Sequence, residues 1–332
     1  MNSQITSIKS ESVRDASRAE WQDAWASDPT STFYQSPQWH EVWAKYSRGR
    51  LSPSPLHVEL VDQTNVIVPI SLEKTRFGRF KTAWLSPGCT YGGWLTSKEL
   101  DQSHAELLTQ FICDRFPGLF WRLNPLNENA IEAMPQSEQD EFTQALDLRE
   151  GFEGIERLWK SKGDAIRRKA RRATSKGVTI CCASESDWEG YIEAYQDSLR
   201  RWGEKASSVF GRHMFDLLRD TNTDDVQLWV AKLEGRVIAG AIVLYASHHA
   251  SYWHGAALES HLDRRPANLL HVEIIRDACT RGIKWYDFNP SGGHAGVVGF
   301  KNSFGCQIMP SPVVTRKAAS SKPLQALKRA LT

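Results

Sequence analysis

The sequence has no C-x-x-C pair, no H-E-x-x-H and no Cys/His spacing of the zinc-site kind, so metal-centred chemistry has no motif to stand on. It also lacks a G-x-S-x-G elbow, a P-loop and a G-x-G-x-x-G turn, which removes the main support for hydrolase, NTPase and Rossmann readings. No apolar run approaches the length that spans a bilayer. The first residues, Met1-Asn-Ser-Gln-Ile-Thr-Ser-Ile, lack the basic-then-apolar order of a signal peptide. These absences predict a cytoplasmic protein, with room for peripheral contact at the inner membrane face. The six cysteines (Cys89, Cys113, Cys181, Cys182, Cys279 and Cys306) read as reduced thiols of such a protein. The formal net charge is only +2, so total charge names no partner.

What is present is more informative. A chain of 332 residues suggests two domains, at roughly 150 residues each. Charge is segregated: acids crowd 128–156 and bases crowd 162–176. The 13 tryptophans are mostly core material, but wide substrate clefts also use large rigid faces.

Periodicity predicts a mixed α/β fold. In the first half, 19–26 and 38–46 have helical spacing, 56–60 and 66–70 read as a strand pair, 98–116 as an amphipathic helix and 120–123 as a strand. The polar, acidic stretch 124–144 leads into an inter-domain connection. In the second half, 164–176 reads as a helix closed by Gly177, 178–182 as a strand, and 187–202 and 210–220 as helices. Strands 226–233 and 237–245 meet at a Glu234-Gly235 hairpin turn, followed by strand 251–255, helix 268–281 and strand 285–288. A glycine-rich loop, 291–299, leads to Phe300-Lys301. The first half repeats the order of the second loosely. The expected layout is an N-terminal domain at 1–155, a C-terminal domain at 156–312 and a basic tail at 313–332, where Leu324, Leu327 and Leu331 form a possible membrane-facing stripe or belong to a disordered end.

Two constellations carry chemistry. Between residues 162 and 176 lie seven bases and one acid. Ile166, Ala170 and Ala173 share one narrow helical stripe, while Arg167, Arg168, Lys169, Arg171 and Arg172 fill the rest of the arc. Such a face is either solvated or matched to a polyanion, because neighbouring bases repel one another unless an anion is near. The second constellation runs from Tyr286-Asp287-Phe288-Asn289 through Gly292 and Gly293 to Phe300-Lys301 and Phe304-Gly305. A Lys ammonium and loop N–H groups suit the oxyanion of an acyl transfer, and Asp287 is a candidate proton acceptor. His271, in the first turn of its helix, reads as a core histidine or as a contact for an anionic donor.

Read together, these segments resemble a FemAB-type protein of the GNAT superfamily. The resemblance is carried by Phe33-Tyr-Gln-Ser-Pro-Gln-Trp39, Tyr91-Gly-Gly-Trp94, the serine and basic helix of 161–178 with its Gly-Val ending, Tyr286-Asp-Phe288, and Gly299-Phe-Lys-Asn-Ser-Phe-Gly305. It implies two tandem GNAT-like domains and amide formation by acyl or aminoacyl transfer. FemAB-type enzymes move an amino acid from aminoacyl-tRNA to the amine of a peptidoglycan precursor, and their GNAT relatives use acyl-CoA. No tightly bound cofactor is implied; the acyl donor is a co-substrate. By analogy Phe300 and Lys301 lie at the donor carbonyl. Arg167, Arg168, Arg171, Arg172 and His271 lie on the donor side, and Trp39, Tyr91, Gly92 and Trp94 at the acceptor, an amine-bearing glycan or peptide precursor. One departure concerns the donor: Ala267 stands where GNAT acetyltransferases have the first glycine of their CoA pyrophosphate loop. The alternatives are an acetyl-CoA-dependent N-acetyltransferase acting on an amino sugar or small amine, and a non-catalytic module that binds RNA or anionic lipid.

Overall fold

The computed structural model describes residues 8–74, 80–134, 141–203, 206, 209–292 and 294–317. Gly293 and the leucine stripe of the tail lie outside the described residues. The chain forms two compact mixed α/β units, one of residues 1–142 with 309–332 and one of residues 143–308.

In the first unit, helix Arg18–Ser27 begins at a capping box between Ser17 and Glu20. Helix Pro37–Tyr46 begins at Ser36 with proline in its first turn. One sheet pairs Ile8–Asp15, Leu56–Leu60 and Asn65–Val68. A second runs in the order Val313–Arg316, Leu119–Leu123, Phe80–Trp84, Ser71–Lys74, Leu51–Pro53. Val313–Arg316 opens the segment expected as a tail. Its β-branched run pairs with Leu119–Leu123, and Val314 is fully buried in the core of this unit. The helix expected over 98–116 is Gln102–Arg115, because the Asp101 side chain accepts from the His104 N–H and fixes the start there.

The second unit is built on a seven-stranded sheet in the order Thr179–Cys182, Val226–Leu233, Arg236–Tyr245, His249–Ala257, Trp285–Asp287, Phe142–Asp147, Gln307–Pro310. Glu234 and Gly235 both have positive φ, so the hairpin turn is of the expected kind. Helix Asp187–Trp202 packs on the strands Arg236–Tyr245 and His249–Ala257. Helix Pro266–Thr280 packs on Val226–Leu233 and Arg236–Tyr245, and helices Gly151–Ser161 and Ala165–Ser175 pack on it in turn. Strand Phe142–Asp147 begins at the end of the polar stretch 124–144, and helix Gly151–Ser161 follows where the inter-domain connection is expected. The acids there mark the solvated side of amphipathic elements.

Two features of this sheet shape the site. Strands His249–Ala257 and Trp285–Asp287 run parallel, and their pairing stops at Ser251 opposite Asp287. The register of His249–Ala257 against Arg236–Tyr245 slips between Tyr252 and His254, which leaves Trp253 as an extra residue. Such a bulge shifts the in/out alternation by one. Tyr252 therefore meets His271 of helix Pro266–Thr280, whereas His254 meets Tyr191 and Tyr195 of helix Asp187–Trp202. The glycine loop expected over 291–299 is replaced by helix Ala295–Asn302, which carries Phe300 and Lys301. Gly296 and Gly299 lower the helix propensity of this segment, and the spacing therefore reads as a loop, while the buried Phe304 follows directly after it.

Candidate active site

The open end of the parallel strand pair is where the polar residues converge. Asp287 is fully buried. Its Oδ1 accepts from Thr143 Oγ1 at 2.6 Å and from the Asn289 N–H at 2.7 Å, and its Oδ2 lies 3.3 Å from His249 Nε2. Burial pushes the carboxyl up, but the hydrogen bonds and charge of His249 and the bond from Thr143 outweigh it and hold it below its ordinary value. A carboxylate so enclosed and so fully partnered is a poor proton acceptor for a substrate amine. Its field acts instead on Lys301.

Lys301 sits in the last turn of helix Ala295–Asn302 and is 3 % exposed. Its Nζ donates to the Asn289 carbonyl at 2.5 Å. Burial lowers the ammonium to about 8, and the charge of Asp287 limits the fall. The loop N–H groups expected to share its work are largely committed within the helix: those of Val297 and Val298 both bond to the His294 carbonyl.

An aromatic cluster centred on His271 lies beside Lys301, whose charge acts on the His271 ring. His271 Nδ1 and the Tyr286 hydroxyl are 2.7 Å apart, and the His271 ring touches those of Tyr252, Phe288, Phe300 and Phe304. Burial, then the charge of Lys301, lower His271 to about 3, so it is neutral at physiological pH. Phe300 packs on both His271 and Phe304. Trp159 fastens the segment from behind, its Nε1 donating to the Phe304 carbonyl at 2.8 Å. Lys301, Phe300, Asp287 and His271 are thus brought together.

The arginines divide. Arg167 and Arg171 line a cleft of about 240 Å³ with Phe152, Trp159, Leu269 and Arg276, between helices Gly151–Ser161, Ala165–Ser175 and Pro266–Thr280. Arg167 lies 3.3 Å from Asp164 and 3.7 Å from Glu156, and Arg171 lies 2.9 Å from Asp164. Arg168 and Arg172 lie off this cleft and are exposed, as Arg171 is too, with Arg168 donating to the Gly163 carbonyl, while Ile166, Ala170 and Ala173 form the expected buried stripe. The basic helix ends near the start of helix Pro266–Thr280: Lys176 pairs with Asp263 at 2.8 Å and its carbonyl accepts from Arg264 at 3.2 Å. Pro266 has no N–H, and the Asn268 N–H bonds to the Arg265 carbonyl, which depletes the donors of this helix start.

The proposed acceptor residues are in the first unit, and their side chains are core. Trp39, Tyr91 and Trp94 are 0–2 % exposed. Trp39 Nε1 donates to the Pro87 carbonyl at 3.1 Å, and Tyr91 packs on Tyr34. A Cβ on Gly92 would lie 2.6 Å from the Leu85 carbonyl carbon, so the glycine permits two backbones to approach rather than a ligand to enter. Residues without an assigned role in the sequence turn out to hold the site: Thr143, His249, Tyr252 and Asn289. Their signal is tertiary, since Thr143 meets Asp287 from 144 residues away. Among the described residues no group of three His, Cys, Asp or Glu could hold a metal ion, and no helix is long and apolar enough to cross a membrane.

Residues 160–301 match the family model described as an acetyltransferase (GNAT) domain. Among solved structures, the chain shares its fold with FemX (TM-score 0.67, 13% identity, covering 92% of this chain and 95% of that one). It is also similar to a conserved protein of unknown function from Bacteroides thetaiotaomicron (TM-score 0.59, 10% identity, 92% and 99% covered). A third likeness is to the C-terminal domain of a protein described as a lysylphosphatidylglycerol synthetase from Agrobacterium fabrum (TM-score 0.53, 12% identity, 91% and 94% covered). At these identities the likeness is one of fold. No curated protein sequence is significantly similar to this chain.

Proposed function

We propose that this chain, which carries a GNAT-type acyltransferase domain, joins an aminoacyl or acyl group to the amine of a cell-wall or cell-surface glycan precursor, with Lys301 as the cation that meets the developing oxyanion. The observation that carries this reading is a buried ammonium at the open end of a parallel strand pair, bonded to the Asn289 carbonyl and carried next to Phe300, whose ring packs on His271 and Phe304. In the reaction the neutral acceptor amine adds to the donor carbonyl, forming the N–C bond, and negative charge collects on the carbonyl oxygen. The ammonium of Lys301 offsets that charge in a site of low polarity, where such a contact is worth far more than in water. When the oxyanion collapses, the carbon–oxygen or carbon–sulfur bond to the donor breaks, and the proton lost by the amine is taken up by the leaving group. Phe300 shapes the carbonyl pocket. His271, neutral and hydrogen-bonded to Tyr286, fixes the aromatic cluster rather than moving a proton.

On the donor side the exposed Arg168 and Arg172 face a polyanion, and Arg167 and Arg171 anchor the helix that carries them. Trp39, Tyr91, Gly92 and Trp94, which the resemblance puts on the acceptor side, hold the backbone of the first unit from its core. Such a protein works in the cytoplasm, with its acceptor at the inner membrane face. Replacing Lys301 by Ala tests the assignment: turnover should fall about 100- to 1,000-fold with the fold retained, and near-normal turnover would sink it.

A second reading has a specific basis, the GNAT acetyltransferase match over 160–301: an acetyl-CoA-dependent N-acetyltransferase acting on an amino sugar or small amine. Against it stand Ala267 and the depleted donors at the start of helix Pro266–Thr280. Thermal shift with acetyl-CoA against aminoacyl-tRNA separates the two, since a ligand that binds only the native state raises its melting point. Salt-sensitive RNA binding without product from either donor would favour a non-catalytic module instead.

A further inference from the structure

Asn289 stands two residues beyond the last pair of the parallel strands, with a backbone φ of 60°. The left-handed region is costly for an L-residue, and Asn enters it more readily than most because its short amide can bond locally. Here the amide does so in a directed way. The Asn289 N–H donates to Asp287 Oδ1 at 2.7 Å. Its Oδ1 accepts from Ser251 Oγ at 3.3 Å, and its Nδ2 donates to the Tyr252 carbonyl at 2.8 Å. Ser251 and Tyr252 belong to the neighbouring strand, at the point where the two strands part and just before the bulge at Trp253. One side chain therefore ties the open end of the strand pair together. The left-handed turn also sets the direction of the Asn289 carbonyl, which receives the Lys301 ammonium.

We propose that Asn289 is a positioning residue for Lys301: its left-handed backbone aims a carbonyl at the ammonium, and its side-chain amide locks that backbone across the parting strands. The path runs from the buried Asp287 carboxylate through the Asn289 backbone to Lys301 Nζ. An ammonium has three N–H donors; with one spent on Asn289, the others have a fixed direction in which to meet a substrate oxygen. An untethered lysine on a four-carbon stem would have to be ordered during the reaction, at a cost in rate. The backbone and the side chain of Asn289 make separable demands. Glycine keeps the left-handed turn and loses the tie; alanine loses the tie and resists the turn.

The inference rests on Lys301 as the transfer-site cation, but its test needs no acyl donor. The full chain is labelled with ¹³C at lysine Cε, the Lys301 resonance is assigned by its loss in Lys301→Arg, and its titration is followed by NMR. Loss of an acceptor for the charged form lowers a lysine's midpoint. Asn289→Ala should move the Lys301 midpoint down by about half a pH unit or more, while Asn289→Gly holds it closer to the parent value. A midpoint unchanged in Asn289→Ala, or moved equally in the alanine and glycine variants, overturns the proposal. Should Asn289→Ala fail to fold, Ser251→Ala cuts one arm of the tie and leaves Asn289 in place; a smaller downward shift supports the proposal and no shift overturns it. A chain that shows these shifts yet transfers no acyl group would refute the proposed function and leave the role of Asn289 standing.

Discussion

The hydroxyl of Tyr252 occupies the space that a side chain at residue 255 would need. A Cβ built on Gly255 falls against that hydroxyl and lies 2.8 Å from two carbons of the Tyr252 ring. Both residues are on the strand that borders the candidate active site, on either side of the Trp253 bulge. The glycine is there so that the tyrosine can lie along its own strand and reach His271, whose ring centroid is 4.6 Å away.

Gly255→Ala should therefore destabilise the chain by about 1–3 kcal/mol, the usual cost of overpacking. Tyr252→Phe removes the clashing oxygen and should recover part of the loss in the double variant. Urea unfolding of the two single variants and the double variant measures the coupling. Additive effects would mean that the two positions do not compete for space.

Lys301 gives a pH-dependent stability effect with a definite sign. Its folded value, about 8, is below the unfolded value near 10.5. Between those limits the unfolded chain binds more protons, so stability rises with pH. Below pH 8 the full desolvation cost is present, on the order of 3 kcal/mol. Lys301→Met should cut transfer about 100- to 1,000-fold, as Lys301→Ala does, yet raise the melting temperature at pH 7, and this advantage should shrink as pH climbs from 8 towards 10.5. An advantage that stays constant over that range would contradict the buried, lowered ammonium.

Buried neutral histidines set the acid limit. His40, His254 and His271 are each lowered by burial to about 3. Because the folded values lie below the unfolded one near 6.5, the unfolded chain takes up these protons first, and stability is lost as pH falls from 6.5 towards 3. His271→Gln can still partner Tyr286 but cannot titrate in this range. Its melting temperature should start lower at pH 7 and fall less steeply on acidification than the parent's, as followed by circular dichroism from pH 7 to 4.

The two sides of the basic helix should respond differently to charge removal. Arg168→Gln with Arg172→Gln, away from the cleft, should weaken polyanion binding and reduce the slope of log K against log salt by about one unit for each phosphate no longer neutralised. Arg167→Gln with Arg171→Gln removes the partners of Asp164 and Glu156 and should lower the melting temperature by a few degrees with less effect on that slope. Filter binding of a short RNA over a salt series, with thermal melts alongside, checks both. Equal slopes for the two pairs would mean that the division of the arginines has no bearing on binding.

Much of the second unit is legible in its sequence, because its signals are local. Helix Asp187–Trp202 and strand Val226–Leu233 have the limits that periodicity alone predicts, and Glu234-Gly235 declares its turn through residues that accept positive φ. The Ile166, Ala170, Ala173 stripe likewise requires one buried helix face. The Phe300-Lys301 pair is marked by sequence as well, but not its environment. That depends on Thr143 and His249 meeting Asp287, on Asn289 reaching Tyr252, and on Trp159 holding Phe304, contacts between residues 37 to 145 positions apart. No pattern of spacing encodes such contacts. The same limit explains Trp39, Tyr91 and Trp94, whose aromatic and glycine-flanked segments suit a ligand cleft as well as a core until burial decides. Sequence determined the elements and the presence of a lysine after a phenylalanine; only the tertiary structure decided that this lysine is buried, lowered to about 8 and aimed by one asparagine, because desolvation and direction belong to the packed neighbourhood and not to the chain.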